Sequence, residues 1–191
     1  MFAELADRCV ERALDAARQG GQALHDTLEA LPAPTYVTDA EGVVIAFNQA
    51  CVGFAGRRPT VGVDRWCVTW KLYDEDGRHL PHHRCPMAVA VVERRAVRGA
   101  CAIAERPDGT RVTFVPFPTP LIDARGELAA AVNVLVDVTD LRQAAALRAE
   151  AEGCRRLAAA TRRNAISLDA MAEVCDARAA ELEARHAKLC A

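Results

Sequence analysis

The chain has 191 residues, with 24 basic and 26 acidic side chains and a formal net charge of -2. Acidic and basic residues are interleaved, so the sequence lacks the basic stripe expected of a nucleic-acid-binding surface. No apolar run approaches the roughly 20 residues of a membrane-spanning helix, and the acidic start of the chain is unlike a signal peptide. We therefore expect a cytoplasmic protein that binds neither nucleic acid nor membranes.

Residues 1–30 are predicted to form an N-terminal helical segment. Apolar side chains recur there at helical spacing: Phe2, Leu5, Cys9, Ala13, Leu24 and Leu28. Pro32 and Pro34 follow and end the pattern, because the residue before a proline disfavours the helical conformation.

Residues 31–139 are predicted to form the packed domain. Strand-forming runs separated by glycine-containing turns cover residues 36–39, 43–47, 97–105, 111–117 and 128–137. A helix is predicted over residues 85–95, since Pro86 suits the first helical position. This order of elements predicts an α+β fold, with a five-stranded antiparallel sheet and helices on one of its faces.

Residues 140–191 are predicted to form one long amphipathic helix. Counting by sevens places larger side chains on one heptad position. Three residues before most of these side chains stands an alanine. The dimer contacts predicted on this seam are Leu147, Leu168, Leu182 and Leu189. The pattern is typical of a coiled coil, so we expect a homodimer that pairs through this helix, about 75 Å long at 1.5 Å per residue.

Several phrases resemble one family in their residues and their order. The opening 31–39, the turn Asp76-Gly77-Arg78, the phrase Arg106-Pro107-Asp108-Gly109 and the closing Asp137-Val138-Thr139 resemble a PAS domain. The segments Trp66-Cys67 and Pro81-His82-His83-Arg84-Cys85-Pro86-Met87 resemble a bacterial subgroup often linked to histidine kinases. The resemblance implies the PAS fold and a role in signal transduction.

The resemblance also implies a cleft between the sheet and the helix that begins near Cys85. Its candidate cofactor-binding residues are Phe47, Trp66, Trp70, Met87, Val91, Phe114 and Asn133. The cofactor is left open, because such a cleft either holds a small molecule or is filled by these side chains. Asn133, a polar amide in an apolar strand, needs partners, either neighbouring backbone or a ligand.

The same resemblance assigns a relay role to Asp137 and Thr139. In PAS proteins the Asp-x-Thr motif at the end of the final strand bonds across the exit of the domain. We therefore expect these two residues to pass movement of the sheet to the C-terminal helix. The simpler alternative is that Asp137 only caps that helix.

Cys67, His82 and Cys85 are the candidate residues for chemistry. Two thiols and an imidazole could hold zinc, and a cysteine at a helix start can be reactive, while Cys85-Pro86 resembles a dipeptide of some haem-responsive proteins. A redox, metal or haem sensor is therefore an alternative, although the eight cysteines contain no Cys-x-x-Cys pair.

No catalytic or nucleotide-binding motif is present in the sequence. We therefore expect a non-enzymatic, stand-alone PAS sensor or adaptor that dimerises and signals by contact. Its expected partner is a two-component signalling protein, such as a histidine kinase or regulator. A purely structural dimerisation protein is a further alternative.

Overall fold

The computed structural model describes residues 2–160 and 165–189. The chain divides into two compact units, Met1–Asp137 and Val138–Ala191. Within the described part of the chain, every helix is too short or too polar to cross a membrane.

The first unit is an α+β domain built on an antiparallel sheet, as predicted. Its helices are α1 (Phe2–Gln19), α2 (Gly21–Glu29), α3 (Gln49–Ala55) and α4 (Pro86–Glu93), and a 3₁₀ turn covers His82–Arg84. Its strands are β1 (Thr35–Asp39), β2 (Val44–Phe47), β3 (Lys71–Tyr73), β4 (Ala102–Glu105), β5 (Arg111–Pro116), β6 (Thr119–Ile122) and β7 (Leu128–Asp137). The strand order is β2-β1-β7-β5-β4-β3, and β6 also pairs with β7.

The sheet has seven strands where the sequence predicts five. Strand β3 is only three residues long and pairs with β4 at the edge of the sheet. Strands β5 and β6 pair with successive parts of β7, with Phe117 and Pro118 between them. Proline cannot donate a ladder hydrogen bond, so it suits this interruption.

The domain's own helices, α3 and α4, pack on one face of the sheet as predicted, and α1 and α2 of the N-terminal segment cover the other face. Side chains of β7 alternate between the faces: Leu135 packs with α3 and α4, and Val134 packs with α1 and α2. We call these two clusters the inner core and the outer core. Because β7 is apolar on both sides, each face must be covered to remove it from water.

Helix α1 supplies much of the outer core. Its buried residues are Ala6, Cys9, Val10, Ala13 and Ala16, at the spacing of one helical face. The predicted N-terminal helical segment is therefore two helices, which meet at Gly20, a residue with a φ of 68°. Glycine adopts this left-handed conformation at little cost.

The second unit is an antiparallel pair of helices, α5 (Thr139–Ala160) and α6 (Ala165–Leu189). The prediction of one continuous helix is therefore wrong. Asp140, near the start of α5, bonds to Arg185, near the end of α6, at 2.8 Å. Arg148 pairs with Glu183 at 2.6 Å.

The predicted heptad seam is buried inside this helical hairpin. One layer contains Ala144, Leu147, Ala179 and Leu182, and the next contains Ala151, Cys154, Leu168, Ala172 and Cys175. The side chain of Leu189 lies outside the described residues. A segment of the same chain is present at a high effective concentration, so the seam of α5 packs against α6 of its own chain.

Candidate functional site

The inner core contains three of the seven candidate cleft residues. Met87 and Val91 on α4 and Phe114 on β5 are buried in this one cluster. Phe114 meets Phe54 of α3 edge to face, with ring centroids 5.2 Å apart. This geometry favours aromatic packing, so these three side chains form the packed interior between the sheet and the helices.

The other aromatic candidates separate into two environments. Phe47 and Trp66 are partly buried and pack against the inner core. Trp70 is 43% exposed, and the Lys71 ammonium lies 4.0 Å from the centre of its ring. Trp70 is therefore a surface residue rather than part of the cleft.

Asn133 is at the centre of a buried hydrogen-bond network. The Phe117 backbone N–H donates to its Oδ1 at 2.9 Å, and its Nδ2 donates to the Tyr36 hydroxyl at 3.0 Å. The hydroxyl in turn donates to the Trp66 carbonyl at 2.9 Å. Both ends of the Asn133 amide therefore have protein partners: a backbone N–H, as one of the two alternatives from the sequence has it, and the Tyr36 hydroxyl, which neither alternative included.

The Trp66 carbonyl reaches this network through an uncommon backbone conformation. Trp66 has a φ of 69°, which costs a non-glycine residue roughly 1–3 kcal/mol. Its N–H donates to the Gly42 carbonyl at 2.7 Å, and its indole occupies the space that a Cβ on Gly42 would need. Close packing on Gly42 and the bond from Tyr36 hold Trp66 in this conformation.

Three thiols lie in the inner core around the Tyr36 ring. Cys67 and Cys85 are buried there with Cys51, which the sequence analysis did not include. The Cys67 thiol lies 3.1 Å from the Thr69 hydroxyl, and Cys85 donates a long contact of 3.8 Å to the Trp66 carbonyl.

Burial keeps these thiols protonated. It raises the pKa of Cys85 to about 12, and it raises the pKa of Cys67 against the opposing effect of the hydrogen bond to Thr69. The pKa of Cys51 is raised for the same reason. Because the thiolate is the reactive and metal-binding form, this environment disfavours thiol chemistry near neutral pH.

The groups that act electrostatically on the His82 side chain are Arg57, Asp64 and His79. Burial, followed by the charge of Arg57, lowers the pKa of His82, and Asp64 opposes this effect. Its Nε2 is buried and has no hydrogen-bond partner among the described residues. Within the described ranges, no group of three or more His, Cys, Asp or Glu side chains is arranged to hold a metal ion.

The candidate relay residues stand where the two units join along the chain. Asp137 is the last residue of β7, opposite Phe114 of β5, and Thr139 is the first residue of α5. Their relay role stays a prediction.

Tyr36 is the main functional candidate that the sequence analysis missed. It is fully buried in the inner core, and burial followed by nearby Cys67 raises the pKa of its hydroxyl well above the usual value. Its pairing with Asn133 across β1 and β7 is the signal that could have identified it, had the strand register been known.

Comparisons with known proteins agree with this architecture. A family model described as PAS fold matches residues 28–143. The LOV domain of the blue-light activated histidine kinase EL346 from Erythrobacter litoralis is 21% identical, and the match covers 56% of this chain and 96% of that domain, with a TM-score of 0.43.

Two further solved structures are similar. The PAS domain of Bordetella pertussis BvgS is 16% identical over 61% of this chain and 83% of that one, with a TM-score of 0.39. The PAS domain of the fruit-fly ELK potassium channel is 11% identical, and the match covers 60% of this chain and 93% of that one, with a TM-score of 0.44. No curated protein matches the chain. Since the family model takes in more than half of the 191 residues, the chain belongs to the PAS family.

Proposed function

We propose that this protein is a sensor or adaptor that signals through contact with other proteins. Membership of the PAS family supports a signal-sensing role. The observation that carries the proposal is the direct connection between the two units: β7, which pairs with three other strands, ends at Asp137, and α5 begins at Thr139. A movement of β7 therefore has a short covalent path to the helical hairpin.

The outer surface of the hairpin is the proposed contact surface. Leu157 on α5 and Met171 and Val174 on α6 are 58%, 49% and 70% exposed. Leu157 and Met171 each precede a buried alanine, so they occupy equivalent heptad positions on one side of an antiparallel pair. Val174 follows Met171 by three residues and is its neighbour on the helix surface.

The other side of the hairpin carries ion pairs between the two helices. Arg148 pairs with Glu183 and Arg155 pairs with Asp176 along that edge. Around Leu157 and Met171 the described residues form no inter-helix ion pair, and the Asp140–Arg185 pair lies two heptads farther along their side of the hairpin. Burial of apolar area would therefore favour association around these two apolar residues. The proposed occupant is a second copy of the hairpin. The protein is thus still proposed to be a homodimer, but its contact surface is this apolar side and not the heptad seam.

Two-component proteins, such as a histidine kinase or regulator, are the proposed signalling partners. This part rests on the resemblance of residues 66–87 to kinase-linked PAS domains. The chain is further proposed to act in the cytoplasm and to have no catalytic activity of its own, since its sequence carries no nucleotide-binding motif. Phosphate incorporation from ATP by the purified protein alone would overturn the non-catalytic assignment.

The experiment for the dimer is a measurement of molar mass by light scattering after size exclusion. We expect the wild-type chain at twice its mass of 20.6 kDa, and the Met171→Glu/Val174→Glu variant at the monomer mass. Ala180→Glu, which adds a charge at another exposed position of α6, serves as the control and should remain dimeric. A monomeric wild type would exclude the homodimer, and a dimeric double variant would exclude this surface.

A further inference from the structure

We propose that the domain carries a second binding site, outside the inner core, for a small planar carboxylate. The site is a surface pocket of about 520 Å³ formed by His25 and Glu29 on α2, Phe47 at the end of β2, and residues 58–61. Its volume lies within the range of known small-molecule sites. The proposal concerns binding alone and does not depend on the proposed signalling function.

Hydrogen bonds fix the α2 wall of this pocket. The Glu29 carboxylate accepts the Gln49 N–H with both oxygens, at 3.0 and 3.1 Å. The buried Asn48 side chain donates to the carbonyls of Leu28 and Ala33 at 3.1 and 2.8 Å. The end of α2 is therefore tied to the start of α3, directly beside Phe47.

The opposite wall is fixed in a similar way. Thr60 donates its N–H to the Asp64 carboxylate at 2.9 Å, and that carboxylate also pairs with Arg57 at 2.8 Å. The Gly62 N–H donates to the Val44 carbonyl of β2 at 2.9 Å. Because both walls are held by the fold, a ligand would enter a concave surface that already exists, which lowers the entropic cost of binding.

Arg58 determines the charge of the ligand. Its guanidinium lies 5.4 Å from the centre of the Phe47 ring, and its polar contact within the described residues is a long bond of 3.5 Å to Gln49. It forms no ion pair with any residue that the structure describes. A guanidinium over an aromatic ring can still present its planar fork of N–H groups, which matches a carboxylate.

The remaining lining determines the shape and the neutral part of the ligand. Pro59, Val61 and the exposed part of Phe47 offer apolar contacts, and His25 offers a further polar group at the rim. Glu29 is the one acidic residue of the lining, and its carboxylate is oriented by a shared hydrogen bond from the Gln49 N–H at the start of α3. The chemistry therefore fits a flat apolar body that carries a single carboxylate.

Titration calorimetry with 2-naphthoate tests the site, with naphthalene-2-methanol as the neutral analogue and acetate as the analogue without a ring. We expect saturable binding of 2-naphthoate and at least about tenfold weaker binding of both analogues, as for the loss of a charge-assisted hydrogen bond or of the apolar contact. Absence of saturable binding with a Kd of about 1 mM or tighter would overturn the proposal. Equal binding of the neutral alcohol would refute the carboxylate assignment.

Two variants locate the site. Arg58→Gln and Val61→Asp change exposed side chains and should each weaken 2-naphthoate binding at least about tenfold. Arg98→Gln is the matched control, because Arg98 lies at the same 5.4 Å from the ring of Phe117, and it should bind as the wild type does. Amide shifts on ligand addition should centre on Gln49 and residues 60–61. Unchanged affinity in Arg58→Gln, or shifts centred on the inner core, would contradict the assignment.

Discussion

Replacing Tyr36 by phenylalanine should destabilise the PAS domain by about 2–6 kcal/mol. The change removes one oxygen from a side chain that is fully buried, so almost no packing is lost. It leaves the Asn133 Nδ2 without its acceptor and the Trp66 carbonyl without its principal donor. Each buried polar group left unpaired costs about 1–3 kcal/mol, and the long contact from Cys85 to the Trp66 carbonyl offsets little of this.

Urea denaturation, monitored by tryptophan fluorescence, measures the free energy of unfolding of the unit that contains Tyr36. The chain has two tryptophans, Trp66 and Trp70, and both belong to the first compact unit. Tyr73→Phe is the control, because Tyr73 is only partly buried and its ring packs under the Arg111 guanidinium. The control should change the free energy of unfolding by about 0.5 kcal/mol or less.

A double-mutant cycle separates the network from a general effect of the substitution. Asn133→Leu removes the other half of the Tyr36–Asn133 bond and leaves the Phe117 N–H with its bond to the Val134 carbonyl alone. Combined with Tyr36→Phe, it should show a coupling free energy of about 1 kcal/mol, as for contacting residues in one network. A Tyr36→Phe protein within about 0.5 kcal/mol of the wild type would refute the reasoning.

Three further changes test other parts of the structure. Gly42→Ala should destabilise the domain in urea denaturation more than Gly126→Ala does: both have φ near 80°, at 82° and 81°, but only at Gly42 does a Cβ meet an indole ring. The free energy of unfolding should fall as pH rises from 9 towards 12. Burial raises the pKa of Cys85 from 9.0 to about 12, so the thiol of the unfolded chain ionises first. If the free energy of unfolding of Cys85→Ala fell with pH as steeply as that of the wild type, this reasoning would be contradicted. Leu182→Asp should lower helicity measured by circular dichroism, since Leu182 is 3% exposed, whereas Val174→Asp at a 70% exposed position should leave it unchanged; equal spectra for both variants would rule out a core role for Leu182.

Periodicity predicted the main elements of the domain because their side chains alternate regularly. Strand β5 shows this pattern, with Val112 and Phe114 both buried, and β7 is a long apolar run. Strand β3 was missed because three residues at a sheet edge are too few to show a period. The outer core was missed because an apolar strand does not reveal which segment covers its second face.

The positions of the candidate cleft residues were predicted in part, and their role in binding stays a prediction. Met87, Val91 and Phe114 lie in the inner core as the cleft assignment requires, whereas Trp70 lies on the surface. Composition cannot distinguish two nearby tryptophans, and only the positive φ of Trp66 turns its carbonyl towards Tyr36. Similarly, the heptad pattern predicted which helix faces pair, but it contains no information on whether the partner face belongs to the same chain.

The seven-residue repeat of the hairpin has a consequence for how the two helices can slide. If α6 moved along α5 by seven residues, about 10.5 Å, Asp140 would meet Arg178 in place of Arg185. Arg148 would then meet Asp176, and Arg155 would meet Asp169, so these three inter-helix pairings of the described residues would each keep opposite charges.

The apolar layers, in contrast, are not equivalent in the two alignments. In the observed alignment Leu182 packs in the layer of Ala144 and Leu147, and the slide would put Cys175 in its place. A thiol fills less of that layer than a leucine side chain does, and lost apolar burial costs free energy. Leu182 therefore favours the observed alignment over a sliding position that keeps the same ion-pair pattern, and Leu182→Cys should weaken that preference.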